Sequence, residues 1–210
     1  MVKLDNLVKT YGDFRLDLSL EIPDGTVTGI VGKNGAGKST TIKAILGLIR
    51  PDGGRVTING KDAQKLTGAE KKSIGAALSD SGFSAYLRIK DIICILRKTY
   101  PTFDEAFFKS CCKAQGLPFE KQIKDFSTGM RAKLRVLVAL SHGAELLIMD
   151  EPTAGLDVEA RNDILDLLRQ YLAENDRRSI LLTSHISSDL ESLCDDIYLI
   201  HDGKIVLHED

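Results

Sequence analysis

The sequence lacks a large excess of charge of either sign. Its 28 lysines and arginines nearly balance 30 aspartates and glutamates, which leaves a formal net charge of −2. The basic doublets Lys71-Lys72 and Arg177-Arg178 are short and far apart, whereas a nucleic-acid-binding domain clusters its basic residues on one face. We therefore expect no nucleic-acid partner for this chain.

Cysteine is also scarce, and its spacing suits neither a zinc site nor a disulfide framework. No two of the four cysteines form a CxxC pair, which is the usual unit of such sites. The pattern is that of a reduced, cytosolic chain. The four positions are Cys94, Cys111, Cys112 and Cys194.

Long hydrophobic runs are missing as well. The longest apolar runs, such as residues 92–96 and 136–140, hold five residues each, whereas a membrane-spanning helix needs about 20. The opening residues Met-Val-Lys-Leu-Asp-Asn also lack the apolar core of a signal peptide. If this protein acts on a membrane, we expect another chain to cross it.

The sequence does contain a repeated alternation of strands and helices, which is typical of an α/β fold. Helical periodicity between residues 86 and 126 interrupts that alternation and predicts an α-helical insertion. The 210 residues therefore suit one domain with an insertion rather than two independent domains. The predicted strands cover 2–7, 14–22, 27–31, 55–60, 74–78, 146–149, 180–183, 197–200 and 205–207, and the other predicted helices cover 41–49, 127–142, 159–172 and 188–194.

A glycine-rich segment over residues 32–40 is the most informative stretch. It fits the phosphate-binding pattern of a glycine, four free positions, then Gly37, Lys38 and Ser39, between a predicted strand and a predicted helix. Glycines let backbone amides close around a phosphate, while Lys38 supplies positive charge and the Ser39 hydroxyl is a suitable Mg²⁺ ligand. The segment predicts a nucleoside triphosphate bound with magnesium. Its candidate ligands are Gly32, Lys33, Asn34, Gly35, Ala36, Gly37, Lys38, Ser39 and Thr40.

Polar residues follow two later apolar strands. Asp150 and Glu151 follow the run at 146–149, at the edge where an open α/β sheet holds its ligand. Asp150 suits the magnesium shell, and Glu151 suits an attacking water, either as general base or by positioning it. His185 follows the strand at 180–183, where it is either an ordinary histidine or a sensor of the γ-phosphate.

Tyr11 lies in a predicted turn upstream of the glycine-rich segment. An aromatic side chain there either stacks on a base or simply packs on its neighbours, and the position alone leaves both interpretations open.

Together these residues closely resemble the ATP-binding subunit of an ABC transporter, over essentially the whole chain. Residues 32–40 look like the Walker A loop, and residues 146–151 look like Walker B with its catalytic glutamate. Residues 154–157, Ala-Gly-Leu-Asp, match the D-loop. His185 matches the switch histidine, and Tyr11 matches the adenine-stacking aromatic.

The resemblance implies ATP and Mg²⁺ as cofactors, with Lys38, Glu151 and His185 as catalytic residues. It also implies a P-loop NTPase fold: α/β, with a mixed sheet core, an N-terminal antiparallel β subdomain and an α-helical insertion subdomain. In this division of a single domain, residues 1–78 and 132–210 form the β and RecA-like core, and residues 79–131 form the helical subdomain.

The family's signature, Leu-Ser-Gly-Gly-Gln, is altered in this chain. Residues 126–130 read Phe-Ser-Thr-Gly-Met and keep Ser127 and Gly129. These two supply a hydroxyl and a close backbone approach for a γ-phosphate at a helix N-terminus, and Ser127 is also a plausible N-cap of the helix.

A second departure follows the predicted strand at 74–78. The family has a glutamine there that contacts the metal and the water, whereas this sequence has Ser79-Asp80. A serine hydroxyl does not reproduce a long neutral amide, but it reaches a metal through water. Ser79 is therefore a candidate metal-site residue beside Ser39 and Asp150.

The resemblance implies two protein partners. Because the signature acts in trans in this family, Ser127, Gly129 and Asp157 are expected to contact ATP held by a second ATPase subunit, in a homodimer or heterodimer closed by ATP. A separate transmembrane permease subunit is implied as well. The chain would then lie in the cytoplasm, on the inner face of the membrane, and drive transport. Its features resemble those of exporters, so we expect export rather than import.

Two alternatives remain open. One is a soluble ABC ATPase that acts on ribosomes or DNA, although such proteins usually carry two cassettes or a long coiled-coil insertion, and this chain has a single set of motifs. The other is a regulatory module that binds ATP without useful turnover, which the altered signature and the missing glutamine favour.

Overall fold

The chain contains two β-sheets. Its structure is a computed structural model that describes residues 1–80 and 82–209. The predicted subdomains also include Ser81 and Asp210, which lie outside the described residues. The ten strands of the described part are β1 (Val2–Tyr11), β2 (Phe14–Ile22), β3 (Val27–Val31), β4 (Gly53–Ile58), β5 (Lys61–Asp62), β6 (Ile74–Ala77), β7 (Leu146–Asp150), β8 (Ser179–Ser184), β9 (Asp196–His201) and β10 (Lys204–Glu209).

One sheet is antiparallel and the other is mixed. The antiparallel sheet has the order β2-β1-β4-β5, and the second has the order β10-β9-β3-β8-β7-β6. In the second sheet β10 alone runs antiparallel to its neighbour, so that five strands point their carboxyl ends to one edge. This confirms the predicted α/β fold with an antiparallel β part and a mixed sheet core.

Seven α-helices connect or cover these sheets in the described residues. The helices are α1 (Lys38–Ile45), α2 (Gly68–Lys71), α3 (Ile89–Thr99), α4 (Glu105–Ala114), α5 (Thr128–Leu140), α6 (Val158–Ala173) and α7 (Ser187–Glu191), and short 3₁₀ turns occur at Ala63–Lys65 and Ile123–Asp125. None of the helices in the described part is long and apolar enough to span a lipid bilayer.

The sequence of β7 is a continuous apolar run because both faces of the strand are buried. Leu147 and Met149 pack into a core on the side of α3, α4, α5 and α6, while Leu146 and Ile148 pack into a second core between the two sheets. A parallel strand that is covered on both faces reads as a continuous apolar run. The run therefore places Asp150 at the end of a fully buried strand.

Several predicted bounds were wrong. The helix predicted over 41–49 begins at Lys38 and ends at Ile45, because the glycine-rich segment passes directly into the helix through Gly37, which has a φ of 116°. Tyr11 is the last residue of β1 rather than part of a turn. The helix α2 was not predicted, although Thr67 and Glu70 form a capping box that is visible in the sequence.

The helix α5 lies across the predicted subdomain boundary at residues 131 and 132. Ser127 caps it as predicted, since its hydroxyl accepts a hydrogen bond from Met130 N at 3.1 Å. Farther along, α5 packs closely on β6, where a Cβ added at Gly75 would lie 2.5 Å from Ala139 O. The division into residues 1–78, 79–131 and 132–210 stays a prediction.

A substitution at Phe108 tests the packing of the helical part, because this side chain is fully buried in the core that α3, α4 and α5 share. Phe108→Ala should lower the free energy of unfolding by about 3–5 kcal/mol, since a buried aromatic side chain leaves a cavity. Thermal unfolding measures the loss. The matched variant Phe107→Ala, at a half-buried position on the same helix, should cost less; equal losses would contradict the packing described.

Candidate functional site

The glycine-rich segment leads from β3 into α1, and its glycines serve different purposes. Gly35 and Gly37 have φ values of 84° and 116°, which a residue with a Cβ rarely adopts. Gly32 is needed for space, because a Cβ there would lie 2.5 Å from Ile200 O. The segment therefore presents its backbone at the carboxyl edge of the mixed sheet.

A cavity of about 340 Å³ opens beside this segment. It gathers seven of the nine predicted loop ligands together with Ser79 and Glu151, which come from distant parts of the sequence. Phe14 also lines it and was not predicted; its ring packs against Gly37, where an added Cβ would lie 3.3 Å from Cζ. The residues that line it are Phe14, Lys33, Asn34, Gly35, Gly37, Lys38, Ser39, Thr40, Ser79 and Glu151.

Lys38 is buried at the floor of this cavity. Its ammonium group donates hydrogen bonds to Gly32 O at 2.6 Å and to Lys33 O at 3.3 Å. Its Nζ also lies 3.1 Å from Glu151 Oε1, as an ion pair that lacks hydrogen-bond geometry. The cation therefore lies between the loop that would hold phosphates and the carboxylate proposed to act on water.

Asp150 is buried among hydroxyl groups. Its Oδ1 accepts hydrogen bonds from Ser39 Oγ at 3.1 Å and from Thr183 Oγ1 at 2.8 Å, and its Oδ2 accepts one from Ser79 Oγ at 2.9 Å. We call these four residues the oxygen cluster. Thr183 was not predicted, although it lies next to the end of the buried strand β8, paired with Asp150 at the end of β7.

The oxygen cluster fits a magnesium ion. Among the described residues Asp150 has hydroxyl partners only and forms no ion pair, and a buried charge without a counter-ion is costly. Mg²⁺ prefers hard oxygen ligands and usually takes only one or two carboxylates. No group of three or more histidine, cysteine or acidic residues in the described chain offers an alternative metal site.

The backbone turns at Glu151, directly after β7 ends. Its φ of 51° lies in the left-handed region, and its backbone amide donates to Thr183 Oγ1 at 3.0 Å and to Thr183 O at 3.2 Å. The turn directs the carboxylate toward Lys38 on one side and His185 on the other, whose Nδ1 lies 2.6 Å from Oε2. The structure thus brings the three predicted catalytic residues together.

A buried network supports the two segments that follow Glu151 and His185. Asp189, which has no exposed surface, accepts hydrogen bonds from Thr153 Oγ1 and from Arg161 Nε, and Arg161 also donates to Ser188 Oγ. These contacts join the loop after β7, the helix α6 and the helix α7. No periodic pattern in the sequence indicates this network, because its members lie on three separate elements.

The predicted in-trans residues lie together, apart from the cavity. Asp157 caps α6, with Oδ1 accepting from Ala160 N at 2.8 Å, and a Cβ added at Gly129 would lie 3.1 Å from Ala160 Cβ. Neither they nor Ser127 line the cavity at the glycine-rich segment. Their contact with a nucleotide stays a prediction.

Tyr11 does not line the cavity either. Its ring is about half exposed at the end of β1, with Lys9 Nζ 5.4 Å from the ring centroid. An exposed ring is free to stack, but adenine stacking stays a prediction. Another opening, of about 420 Å³, lies at the amino ends of β7 and β8 and contains none of the predicted site residues.

Comparison with known proteins gives a consistent result. The family described as ABC transporter matches residues 16–154. The chain is 34% identical to the bacitracin transport ATP-binding protein BcrA of Bacillus licheniformis, over 98% of this chain and 68% of that protein. Its fold is similar to a solved ATP-binding subunit of an ABC transporter (TM-score 0.86, 25% identity, 100% and 89% of the chains) and to a dimeric bacterial ABC transporter cassette (0.85, 23%, 100% and 98%).

Two buried strand threonines allow a matched test of the oxygen cluster. Thr183→Val removes a donor to Asp150 and an acceptor for Glu151 N, and should cost about 1–3 kcal/mol in unfolding free energy. Thr28→Val in β3 should be neutral or stabilising, because Thr28 Oγ1 is buried without a hydrogen-bond partner. Denaturant unfolding measures both, and equal effects would contradict the role given to Thr183.

Proposed function

The chain belongs to the family of ABC transporter ATP-binding subunits, and from that premise we propose that it hydrolyses ATP with Mg²⁺ at the cavity described above. One observation carries the proposal: Lys38 and Glu151 come from distant segments and line one cavity, and His185, from a third segment, contacts the Glu151 carboxylate. The energy released would drive transport through a separate membrane-spanning subunit.

The phosphate-binding groups come from the glycine-rich segment. Its backbone amides and the first turn of α1 point positive dipoles at a bound phosphate, and Lys38 adds its charge. Ser39 and Asp150 would hold Mg²⁺, with Ser79 acting through water. When bound, the ion offsets the negative charge of the phosphate oxygens.

Glu151 and His185 would act on the water. Glu151 Oε2 accepts a proton from, or positions, a water aimed at the terminal phosphate. His185 is hydrogen-bonded to that same carboxylate oxygen, so its ring fixes the orientation of Glu151 and couples it to the γ-phosphate. Lys38 lies against the other carboxylate oxygen, and a bound phosphate would compete for the lysine.

The second face of the site would come from another copy or a related subunit. Ser127 and Gly129 open α5, and Asp157 opens α6, so two helix N-termini lie side by side and away from this chain's own cavity. A dimer that places these termini over the partner's cavity gives each ATP two sets of ligands. The similarity to a dimeric cassette supports this arrangement.

A relative named for bacitracin transport supports export of an antibiotic peptide or a similar amphipathic compound as the transport function. In that role the chain is attached to the inner face of the membrane by its permease partner. The altered signature and Ser79 favour one second candidate, an ATP-binding regulatory module without useful turnover, and steady-state phosphate release distinguishes the two.

Glu151→Gln is the direct test of the proposed chemistry. The amide keeps the shape of the side chain but cannot accept the proton, so phosphate release should fall by about 10²-fold or more. ATP should still bind, and the variant should accumulate as an ATP-bound dimer, measured by light scattering after gel filtration.

The matched control is Glu21→Gln, an exposed substitution in β2, which should hydrolyse ATP at the normal rate. A Glu151→Gln variant that stays monomeric in saturating ATP and Mg²⁺ would contradict the proposed dimer. One that retains normal turnover would contradict the role of Glu151.

A further inference from the structure

Arg135 on α5 reaches out of the helix to the turn that follows β6. Its Nη1 donates hydrogen bonds to Leu78 O at 3.1 Å and to Ser79 O at 2.9 Å. Both carbonyls lie beyond Ala77, the last residue of β6. One side chain therefore fixes the backbone of two consecutive residues at the point where the chain leaves the sheet.

Arg135 binds these two carbonyls from a half-buried position. The side chain is half-buried, and burial together with the nearby charge of Arg131 lowers the pKa of Arg135 below its usual value. Among the described residues Arg135 forms no ion pair with a carboxylate, whereas several other arginines do. Burying a guanidinium group costs desolvation free energy, and here the group gains only two contacts with carbonyl oxygens. We therefore expect those two contacts to have a role of their own.

The fixed turn carries one member of the oxygen cluster. Ser79 Oγ is the hydrogen-bond donor to Asp150 Oδ2, whereas Ser39 and Thr183 share Oδ1. Ser39 belongs to a helix and Thr183 to a strand, so regular structure holds both. Ser79 has no such support and depends on contacts made by its neighbours.

An ion pair attaches the same turn to helix α1. Lys43 on α1 forms an ion pair with Asp80 at 2.7 Å, and the hydrogen bond between them raises the pKa of Lys43 and lowers that of Asp80. Asp80 is exposed, and exposed ion pairs contribute little to stability. Arg135 instead binds two backbone carbonyls from a half-buried side chain, and so fixes the backbone of the turn directly.

We propose that Arg135 is a positioning residue that holds Ser79 against Asp150 and so sets the metal site from helix α5. This inference rests on the proposed function and adds a new residue to it. Arg135 lies eight residues after Ser127 on the same helix, about 12 Å along its axis. A displacement of α5 when Ser127 meets a partner's nucleotide would thus move the Ser79 turn of its own metal site.

The test compares nucleotide affinity with and without metal. Arg135→Ala, Ser79→Ala and the double variant are titrated with a fluorescent non-hydrolysable ATP analogue, once with Mg²⁺ and once with EDTA. Arg135→Ala should reduce the gain in affinity that Mg²⁺ gives by about 10-fold and leave the affinity in EDTA unchanged. Ser79→Ala should do the same, and the double variant should lose no more than either single variant.

Two further measurements separate positioning from general damage. Hydrogen exchange in the peptide covering residues 74–80 should rise in Arg135→Ala, while Arg135→Lys, which keeps a donor, should recover part of the metal-dependent gain. Arg169→Ala removes an exposed arginine paired with Asp166 and should change neither quantity. If Arg135→Ala fails to fold, Arg135→Lys and Ser79→Ala still carry the comparison.

The outcomes are distinguishable. Equal losses of affinity in Mg²⁺ and EDTA, an unchanged gain in Arg135→Ala, or additive losses in the double variant would overturn the inference while the wild-type protein still releases phosphate from ATP. A wild-type protein that binds nucleotide without any gain from Mg²⁺ and releases no phosphate would overturn the proposed function and this inference with it.

Discussion

The buried carboxylate of Asp150 is the constraint on which the carboxyl edge of the mixed sheet depends. It forms no ion pair among the described residues, and its hydroxyl partners come from α1, from the turn after β6 and from β8. Each partner fixes the end of one structural element relative to β7. A buried carboxylate surrounded by hydroxyl groups supports the proposed site for a hard divalent cation.

The backbone of Glu151, at the same edge of the sheet, is strained. Its left-handed backbone costs about 1–3 kcal/mol in a residue other than glycine, and two hydrogen bonds to Thr183 offset that cost. As a result, the carboxylate one residue beyond Asp150 turns toward Lys38 and His185. The buried Asp189 network then holds the segments after Glu151 and His185 together, so that the pair keeps its spacing.

Local patterns predicted most of the fold and the phosphate-binding half of the site. The glycine-rich segment, the apolar run before Asp150 and the cap at Ser127 each depend on residues that are close in sequence. Phe14, Thr183, Asp189 and Arg135 were missed because their roles arise only when distant strand ends and helices meet. Tyr11 was placed in a turn because the predicted strand ended at Leu7, whereas β1 continues past an irregularity in its register between Leu4 and Val8. The separation of Ser127, Gly129 and Asp157 from the cavity supports an active site shared between two subunits.

Mixing two inactive variants tests this shared site most directly. Lys38→Ala removes the phosphate-binding charge, while Ser127→Asp keeps the N-cap of α5 but places a negative charge against the partner's phosphate. Each variant alone should be inactive. A mixed dimer would contain one intact site, so an equal mixture should recover about a quarter of the wild-type rate of phosphate release. A mixture that stays as inactive as its components, or a Ser127→Asp protein that hydrolyses ATP normally by itself, would contradict a site built from two subunits.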